Sequence, residues 1–433
     1  MNKYEEIFES YVSGNNIFIT GAGGTGKTYA IKQIYEHAIK NNKIICVTAL
    51  TGVASILIDC NATTIHSWSG IGISNKSDSE IINKIYRSKY YKHNWINTDI
   101  LVIDEISMMS CKLFELLNKI GQIIRNNKKL FGGIQLIFSG DFFQLPPVKE
   151  TVFCFESKHF DNTFDKIIYL NKVFRQNDKI YKNLLLNMRK GLISKKSIEL
   201  LNSRLIDDEF DKNTKDITRL VPTKNKAFEI NNYFINNIKE KKYIYKRTYK
   251  ENINNLNDQE KIKLDLMSES EKENEYNYIK ESTLTEENLI LKKGSYVMCI
   301  ANLDLNLGIA NGTTGKVIDF TPEKLPIVQF DKHKIVIGKK EWKSENVPGI
   351  SVFQIPLILA WGITIHKAQG LTLEKAIIDI GNDLFEAGQM YVALSRIKNL
   401  DGVYLKEFNI SNLKINCKVL NYYKTLENLL NNK

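Results

Sequence analysis

Apolar runs too short for a helix recur through the first third of the chain, each giving way to polar residues: Ile17 to Thr20, Ile44 to Thr48, Ile100 to Ile103 and Leu136 to Ser139. Runs of this length without alternation predict strands covered on both faces, as in a parallel sheet. After the first run the apolar positions change to helical spacing (Ala30, Ile31, Ile34, Tyr35, Ala38, Ile39). They do so again between the third and fourth (Leu113, Phe114, Leu116, Leu117, Ile120, Ile123, Ile124). Strand and helix in alternation predict a doubly wound α/β sheet with its ligand at the carboxyl ends of the strands. A second alternating region runs from about Thr218 to Ile238 and resumes near Pro356, with strands expected at Thr218 to Val221, Ala376 to Ile380 and Gly402 to Leu405. The interval opens with a charged stretch, Lys239 to Asn288, expected to be a flexible arm or hairpin because it holds too few apolar residues for a core. From Leu291 to Val352, glycines separate short Val/Ile runs such as Tyr296 to Ile300 and Lys316 to Phe320, the pattern of a small β-barrel.

A chain of 433 residues exceeds one ordinary core, so two or three domains are expected. Sixty Lys and Arg against forty-nine Asp and Glu give a net charge of +11, which suits a polyanionic partner. Much of that excess follows a general richness in Asn, Lys and Ile, so charge alone carries little weight. The six cysteines are scattered, with no CxxC pair and no histidines at ligand spacing, so neither a zinc site nor a disulfide framework is indicated. The N-terminal residues have no signal-peptide pattern and no run approaches a membrane span. The expectation is an unsecreted protein without a membrane partner, cytoplasmic in a prokaryote or nuclear or otherwise within the host cell in a eukaryote or virus.

The most specific chemistry follows the first strand. Gly21, Ala22, Gly23, Gly24, Thr25, Gly26, Lys27 and Thr28 read GAGGTGKT, a complete phosphate-binding loop leading through Tyr29 into a helix. Such a loop cradles phosphates with backbone N–H groups at a helix N-terminus. Its lysine reaches the outer phosphates and its hydroxyl, here Thr28, ligates Mg²⁺. The third strand ends in Asp104 and Glu105: Asp104 suits the water shell of Mg²⁺, and Glu105 suits a base for the attacking water. The fourth runs into GDFFQLPPV, where Gln144 is placed to sense the terminal phosphate, while Phe142 and Phe143 fit either a core or a stacked base. Arg175 in VFRQ and Arg396 in YVALSR stand where a second domain can close on the triphosphate, as arginine fingers or as surface ion pairs. Two segments share the triplet TIH. One contributes His66, Ser67 and Trp68, the other Thr364, His366 and Lys367, both as contacts to a single strand; each histidine taken alone fits a structural role better.

Taken in order, GAGGTGKT, TALTGVAS, TIHSWSGIG, VIDEISMM, FGGIQLIFSGDFFQLPPV, VFRQ, LKKGSYVMCIANLDLNLGIANGTTGKV, QIPLILAWGITIHKAQGLTL and GQMYVALSRIKNLDGVYL resemble the petite-integration-frequency (PIF) family of DNA helicases, relatives of RecD in the B branch of superfamily one. The resemblance spans nearly the whole chain. It implies two RecA-like phosphate-loop domains with ATP between them: the first at 1–66 and 96–172, interrupted by a small wedge at 67–95, the second at 173–238 and 353–433. A charged arm at 239–290 and a small Src-homology-like barrel at 291–352 would be inserted in the second. It also implies ATP- and Mg²⁺-driven 5′-to-3′ translocation on single-stranded DNA, unwinding of forked or tailed duplex in replication, recombination or repair, and a monomer that meets replication or repair proteins. By motif, Lys27, Thr28, Asp104, Glu105, Gln144, Arg175 and Arg396 carry over as ATP-site residues. Gln369 and Gly370 carry over as links from nucleotide to DNA, and Thr48, Thr51 and Gly52 as DNA contacts. The chain departs from the family in having no Gln shortly before the phosphate loop, the first being Gln33. The motor is expected without long regulatory extensions. A subunit whose ATPase works only inside a complex, and an RNA-directed translocase, are the competing readings.

Overall fold

The computed structural model describes residues 2–431 apart from 59, 73–76, 149, 253–255, 266, 268, 284, 305, 345–346 and 348. The first unit is a six-stranded parallel sheet: β1 (Ile17–Gly21), β2 (Ile45–Ala49), β3 (Thr63–Thr64), β4 (Ile100–Asp104), β5 (Gln135–Gly140) and β6 (Lys166–Leu170), in the order β3-β2-β4-β5-β1-β6. Four of these are the strands expected from sequence. The edge strands β3 and β6 escaped notice, the first because two residues make no run, the second because its KIIYL follows an aromatic stretch. Every residue of β1 and β4 is buried. Successive side chains go to opposite faces. Ile17, Ile19, Ile100 and Val102 meet helices Lys3–Val12 and Lys27–Lys40, whereas Phe18, Leu101 and Ile103 meet helix Cys111–Ile124 through Phe114, Leu117 and Ile120. The strands pair in parallel with Thr20 beside Gly140 and Ala49 beside Asp104, so their carboxyl ends form one edge.

Three short helices, Ile65–Ser69, Asp78–Arg87 and Lys89–Asn97, interrupt this unit. Residues 73–76 of the expected wedge lie outside the described residues. Trp95 anchors the interruption: it is fully buried, its indole donates to the Ser69 carbonyl at 3.0 Å, and its ring lies 4.6 Å from that of Trp68.

A second parallel sheet has four strands in the order Gly362–Thr364, Thr218–Val221, Ala376–Ile380, Val403–Phe408. Between its first and second halves lies a five-stranded antiparallel sheet ordered His333–Val336, Pro326–Phe330, Thr314–Phe320, Tyr296–Cys299, Leu357–Leu359. Its last strand lies beyond 352, so a boundary drawn there cuts the sheet.

The stretch expected to be a flexible arm or hairpin carries strands and helices of its own. Lys242–Lys246 pairs with Asn288–Lys292, and Thr248–Glu251 pairs with Ile350–Gln354. Two helices, Asp258–Asp265 and Glu269–Thr283, cover Ile350 and Val352 with Leu264 and Ile279. Its apolar residues are few, but they complete a core whose other half comes from a distant strand, which a local count does not register. The helix Cys417–Asn431 also crosses an expected boundary: it returns to the first sheet and buries Val419, Tyr423 and Leu426 there. Among the described residues no helix is long and apolar enough to cross a membrane.

Candidate functional site

The loop after β1 is shaped by close approach. A side chain at Gly21 would stand 2.3 Å from the Leu170 carbonyl oxygen. At Gly24, where φ is +79°, it would stand 2.5 Å from Cβ of Arg175. Gly26 caps helix Lys27–Lys40 without any side-chain bond, which leaves the first-turn N–H groups open to an anion. Lys27 folds back and donates to the carbonyls of Gly21 at 2.8 Å and Ala22 at 3.0 Å, and the Thr25 hydroxyl donates to Ala22 at 2.9 Å. Burial lowers the pKa of Lys27, opposed by Asp141, Glu105 and Asp104.

Asp104 ends β4 and Glu105 follows with φ +54°, a left-handed turn that swings the chain where the two carboxylates emerge. Burial, and then the neighbouring Glu105 charge, push Asp104 up to about 6. Gln369 donates to Glu105 Oε2 at 3.0 Å. The amide oxygens of Gln144 and Gln369 are buried with no protein donor, an unmet acceptor capacity beside the acids that suits a water or a donor on a bound group.

The second unit approaches across this edge. The Gly23 N–H donates to the Tyr391 hydroxyl at 2.9 Å. Arg396 is buried; its Nε donates to the Val392 carbonyl at 3.0 Å and its Nη2 to Ser395 Oγ at 2.8 Å. Arg175 donates to the Ser395 carbonyl at 3.3 Å. A Cβ at Gly23 would lie 3.3 Å from Arg396 Nη2 and 3.6 Å from Arg175 Nη1, so both guanidiniums face the phosphate loop. Burial, then the charge of Arg396, bring Arg175 down to about 9, and burial lowers Arg396 as well. Among the described residues neither arginine has a carboxylate within ion-pairing distance. Cations so placed without an anion are costly unless a bound anion completes them.

These groups line one cavity of ≈ 530 Å³: Gly23 to Tyr29, Asp104, Glu105, Gln144, Arg175, Gly370 and Arg396, joined by Tyr4 and Phe174, which sequence reasoning did not single out. Gly21 and Ala22 stand behind it as acceptors for Lys27, and Gln369 acts through Glu105. Also unforeseen is the support beneath. Asp141 and Arg189 form a fully buried ion pair (2.7 Å), and Tyr423 shares a 2.6 Å hydrogen bond with Thr20 Oγ1 and accepts from Phe142 N–H at 3.2 Å. Asp141 lies within the GDFFQ segment, but its partners are distant in sequence.

The predicted strand contacts divide. Thr51 and Gly52 open helix Gly52–Ile58, whose Leu57 would touch a Cβ at Gly370, so the TALTGVAS and TIHKAQG segments adjoin. His66 is half-buried and its pKa is lowered by burial. His366 lies parallel to the exposed ring of Phe385 with its Nε2 3.5 Å from Glu386, and Lys367 beside it is lowered by burial and steadied by Glu286. Four others are corrected as surface contacts. Phe142 is buried among Phe18, Phe155 and Tyr422; Trp68 packs on Trp95; Thr48 is buried and donates to the Val102 carbonyl at 2.7 Å; Ser67 is buried. Thr364, also buried, uses its hydroxyl to accept from Lys367 N–H at 3.2 Å, shaping the turn rather than meeting solvent. In each case a side chain that fits a base or phosphate by type is buried and taken up by neighbouring groups of the protein.

The sequence matches the PIF1-like helicase family over residues 2–199 and the 2B domain of DNA helicase Pif1 over 276–320. It is 34% identical to the ATP-dependent DNA helicase PIF1 of Danio rerio across 97% of this chain and 63% of that protein. The chain spans between 48% and 67% of the length of eight curated relatives it matches, 61% to 63% for four of them. The crystal structure of Pif1 helicase from Candida albicans is similar with a TM-score of 0.79 and 32% identity, covering 98% of this chain and 99% of that one. That of Bacteroides sp Pif1 in complex with ADP-AlF4 gives 0.77 and 26%, covering 99% and 97%.

Proposed function

Since the chain belongs to the PIF1-like helicase family, we propose that it is an ATP-dependent DNA helicase that moves 5′ to 3′ along single-stranded DNA and parts forked or tailed duplex. The observation that carries this reading is the pair of guanidiniums, Arg175 and Arg396, that lean over the Gly23 peptide with no carboxylate within ion-pairing distance among the described residues.

Each residue then has a task. Lys27 exchanges the Gly21 and Ala22 carbonyls for phosphate oxygens. Glu105, held by Gln369, accepts a proton from the attacking water, and Gln144 offers its amide oxygen to orient that water. Arg175 and Arg396 stabilise charge that grows during transfer, a role worth roughly 10³ to 10⁵ in rate in related chemistry. The oxygen donors Thr28 and Asp104 fit Mg²⁺, which supplies neutralisation of the phosphate oxygens when bound. Occupancy of the site is linked to the strand path through one turn: Gln369 contacts Glu105, while His366 and Lys367 lie three and two residues before it. Separating a base pair opposes stacking of ~1.4 kcal/mol per step, so a wedge need only block re-annealing after each advance. We assign that role to the helices within 67–95 and read the antiparallel sheet as the inserted barrel, a reading supported by its position between the halves of the second parallel sheet. The motor units are read as 1–66 with 96–172, joined by helix Cys417–Asn431, and 173–238 with the region from 360 to 416.

Partial duplexes bearing a 5′ or a 3′ single-stranded tail, incubated with ATP and Mg²⁺, test the proposal, with Lys27→Ala as control. Separation only from the 5′ tail is expected, with the control retaining DNA binding and losing hydrolysis. DNA-stimulated hydrolysis without separation from either tail would instead indicate a partner-dependent ATPase.

A further inference from the structure

The two-stranded ribbon of the insertion has two unlike faces. Lys242–Lys246 pairs antiparallel with Asn288–Lys292, and residues directly opposite each other share a face. Tyr243, Tyr245, Leu289 and Leu291 turn under and pack, the Tyr243 ring stacked on that of Phe320 at 3.9 Å. The other face is made by Lys242 opposite Lys292, Ile244 opposite Ile290 and Lys246 opposite Asn288. On it Lys242, Ile244, Lys246 and Asn288 are exposed.

The charge of that open face has one sign. Among the described residues Lys242, Lys246 and Lys292 have no carboxylate within ion-pairing distance, and the exposed Lys339 brings a fourth ammonium, donating to the Lys246 carbonyl at 3.4 Å. Lys292 donates to the Ile238 carbonyl at 2.7 Å, and the acid nearest along the ribbon, Glu287, is turned to the buried Arg247 at 3.2 Å. Like charges placed directly opposite, as Lys242 and Lys292 are, weaken a strand pair, and an external anion relieves that repulsion. Proteins that hold unpaired bases offer rings for them to stack on. None of the six residues of this face is aromatic, since both tyrosines of the ribbon lie on its underside. What the face offers is a row of cations: Lys242 and Lys246 stand four residues, about 14 Å, apart, the rise of about four phosphates along one strand of a duplex. The ribbon also starts beside the proposed single-strand path, because Glu286, two residues before Asn288, opposes the charge of Lys367.

We infer that this face grips the phosphate backbone of duplex DNA, holding the paired arm of a tailed or forked substrate while the single strand runs past Lys367. It rests on the proposed helicase reading and adds to it a second DNA site, built on the insertion. Backbone contacts of this kind carry no base preference and weaken steeply with salt.

Fluorescence anisotropy of the full chain with a labelled blunt duplex, and with a single strand of equal length, tests this over about 50 to 300 mM salt. Lys242→Gln, Lys246→Gln and Lys292→Gln combined should lower the slope of log affinity against log salt by about 2 to 3 for the duplex and leave that of the single strand unchanged. Ile244 is 55% exposed at the centre of the face. Ile244→Lys should therefore steepen the duplex slope by about 1, a gain that damage to the fold does not produce. An equal fall for duplex and single strand overturns the inference by moving the ribbon onto the single-strand path. Unchanged slopes for both overturn it in favour of an acidic protein as the occupant. Either result leaves the helicase reading standing, whereas a wild-type chain that binds neither DNA overturns both.

Discussion

Replacing Arg189 with Met should destabilise the first unit by about 3–5 kcal/mol, because it strands the Asp141 carboxylate in the interior. The structure sets the size of the effect. Side-chain exposure is 1% for Arg189 and 0% for Asp141. The guanidinium donates from Nε at 3.1 and 2.9 Å and from Nη2 at 2.7 Å to the carboxylate, and from Nη1 to the Tyr169 hydroxyl at 3.0 Å. It also lies 4.4 Å above the Phe143 ring and 5.0 Å from that of Tyr423. Without Arg189, Asp141 keeps one short-range donor, the Phe143 N–H at 3.2 Å, and the more distant charge of Lys27. Most of the cost is therefore the unpaired charge, not the lost attraction. Asp141→Asn combined with Arg189→Met removes both charges and should recover about 2 kcal/mol or more of the single-variant loss, a coupling that additive sites do not show. Urea unfolding followed by tryptophan fluorescence, where Trp68 and Trp95 report on this unit, measures all four corners of the cycle. At roughly 2–4 °C per kcal/mol for a unit of this size, the single variant should melt some 6–20 °C earlier. A loss below about 1 kcal/mol, or a double variant equal to the sum of the singles, would refute the reasoning.

Three further outcomes follow from the same geometry. Gly23→Ala incurs no backbone strain, yet its Cβ would stand 3.3 Å from Arg396 and 3.6 Å from the Tyr391 hydroxyl, so steady-state kinetics should show kcat falling by ~10- to 100-fold with little change in KM for ATP. The pKa of Asp104 is raised to about 6 from 3.8. Its contribution to stability is thus fully present below about pH 4 and lost as pH rises through about 6. Since only the ionised form can hold Mg²⁺, the Mg²⁺-dependent gain in ATP affinity should shrink below about pH 6, and a gain constant from pH 5 to 8 would contradict this. Glu286 opposes the Lys367 charge on the proposed strand path, so Glu286→Gln should tighten single-stranded DNA binding about 2- to 5-fold at low salt, an advantage that fades in 0.5 M salt.

The strands at Ile17, Ile100 and Leu136 were legible because central parallel strands are apolar on both faces, and the phosphate loop because its glycines answer local demands. Asp104, Glu105 and Gln144 were legible as types following strand ends, Arg175 and Arg396 as cations in VFRQ and YVALSR placed to close on a triphosphate, and all five line the cavity. Sequence concealed which face each candidate would take. Phe142 and Trp68 look like stacking groups but occupy the inward positions of a turn and a helix, where nearby rings claim them. Tyr4 and Tyr391 were invisible for a different reason. Their value lies in one hydroxyl meeting one backbone atom of the phosphate loop, Thr25 O and Gly23 N, across 21 and 368 positions of chain. The stretch Asp258 to Glu287, with ten acidic and four basic residues, looked coreless because its apolar partners are supplied by Ile350 and Val352.

The return of helix Cys417–Asn431 to the first sheet means that the chain crosses between the two parallel-sheet units twice, once after Leu170 and once before Cys417. A body tied at one point can swivel in any direction; one tied at two behaves like a door on a pair of hinges, free to turn mainly about the line that joins them. Arg396 and Tyr391 ride on the door, and the phosphate loop is the frame they shut against. Covalent topology thus constrains any opening between the units before a ligand binds, and a cut in either crossing would turn a directed swing into a loose tether.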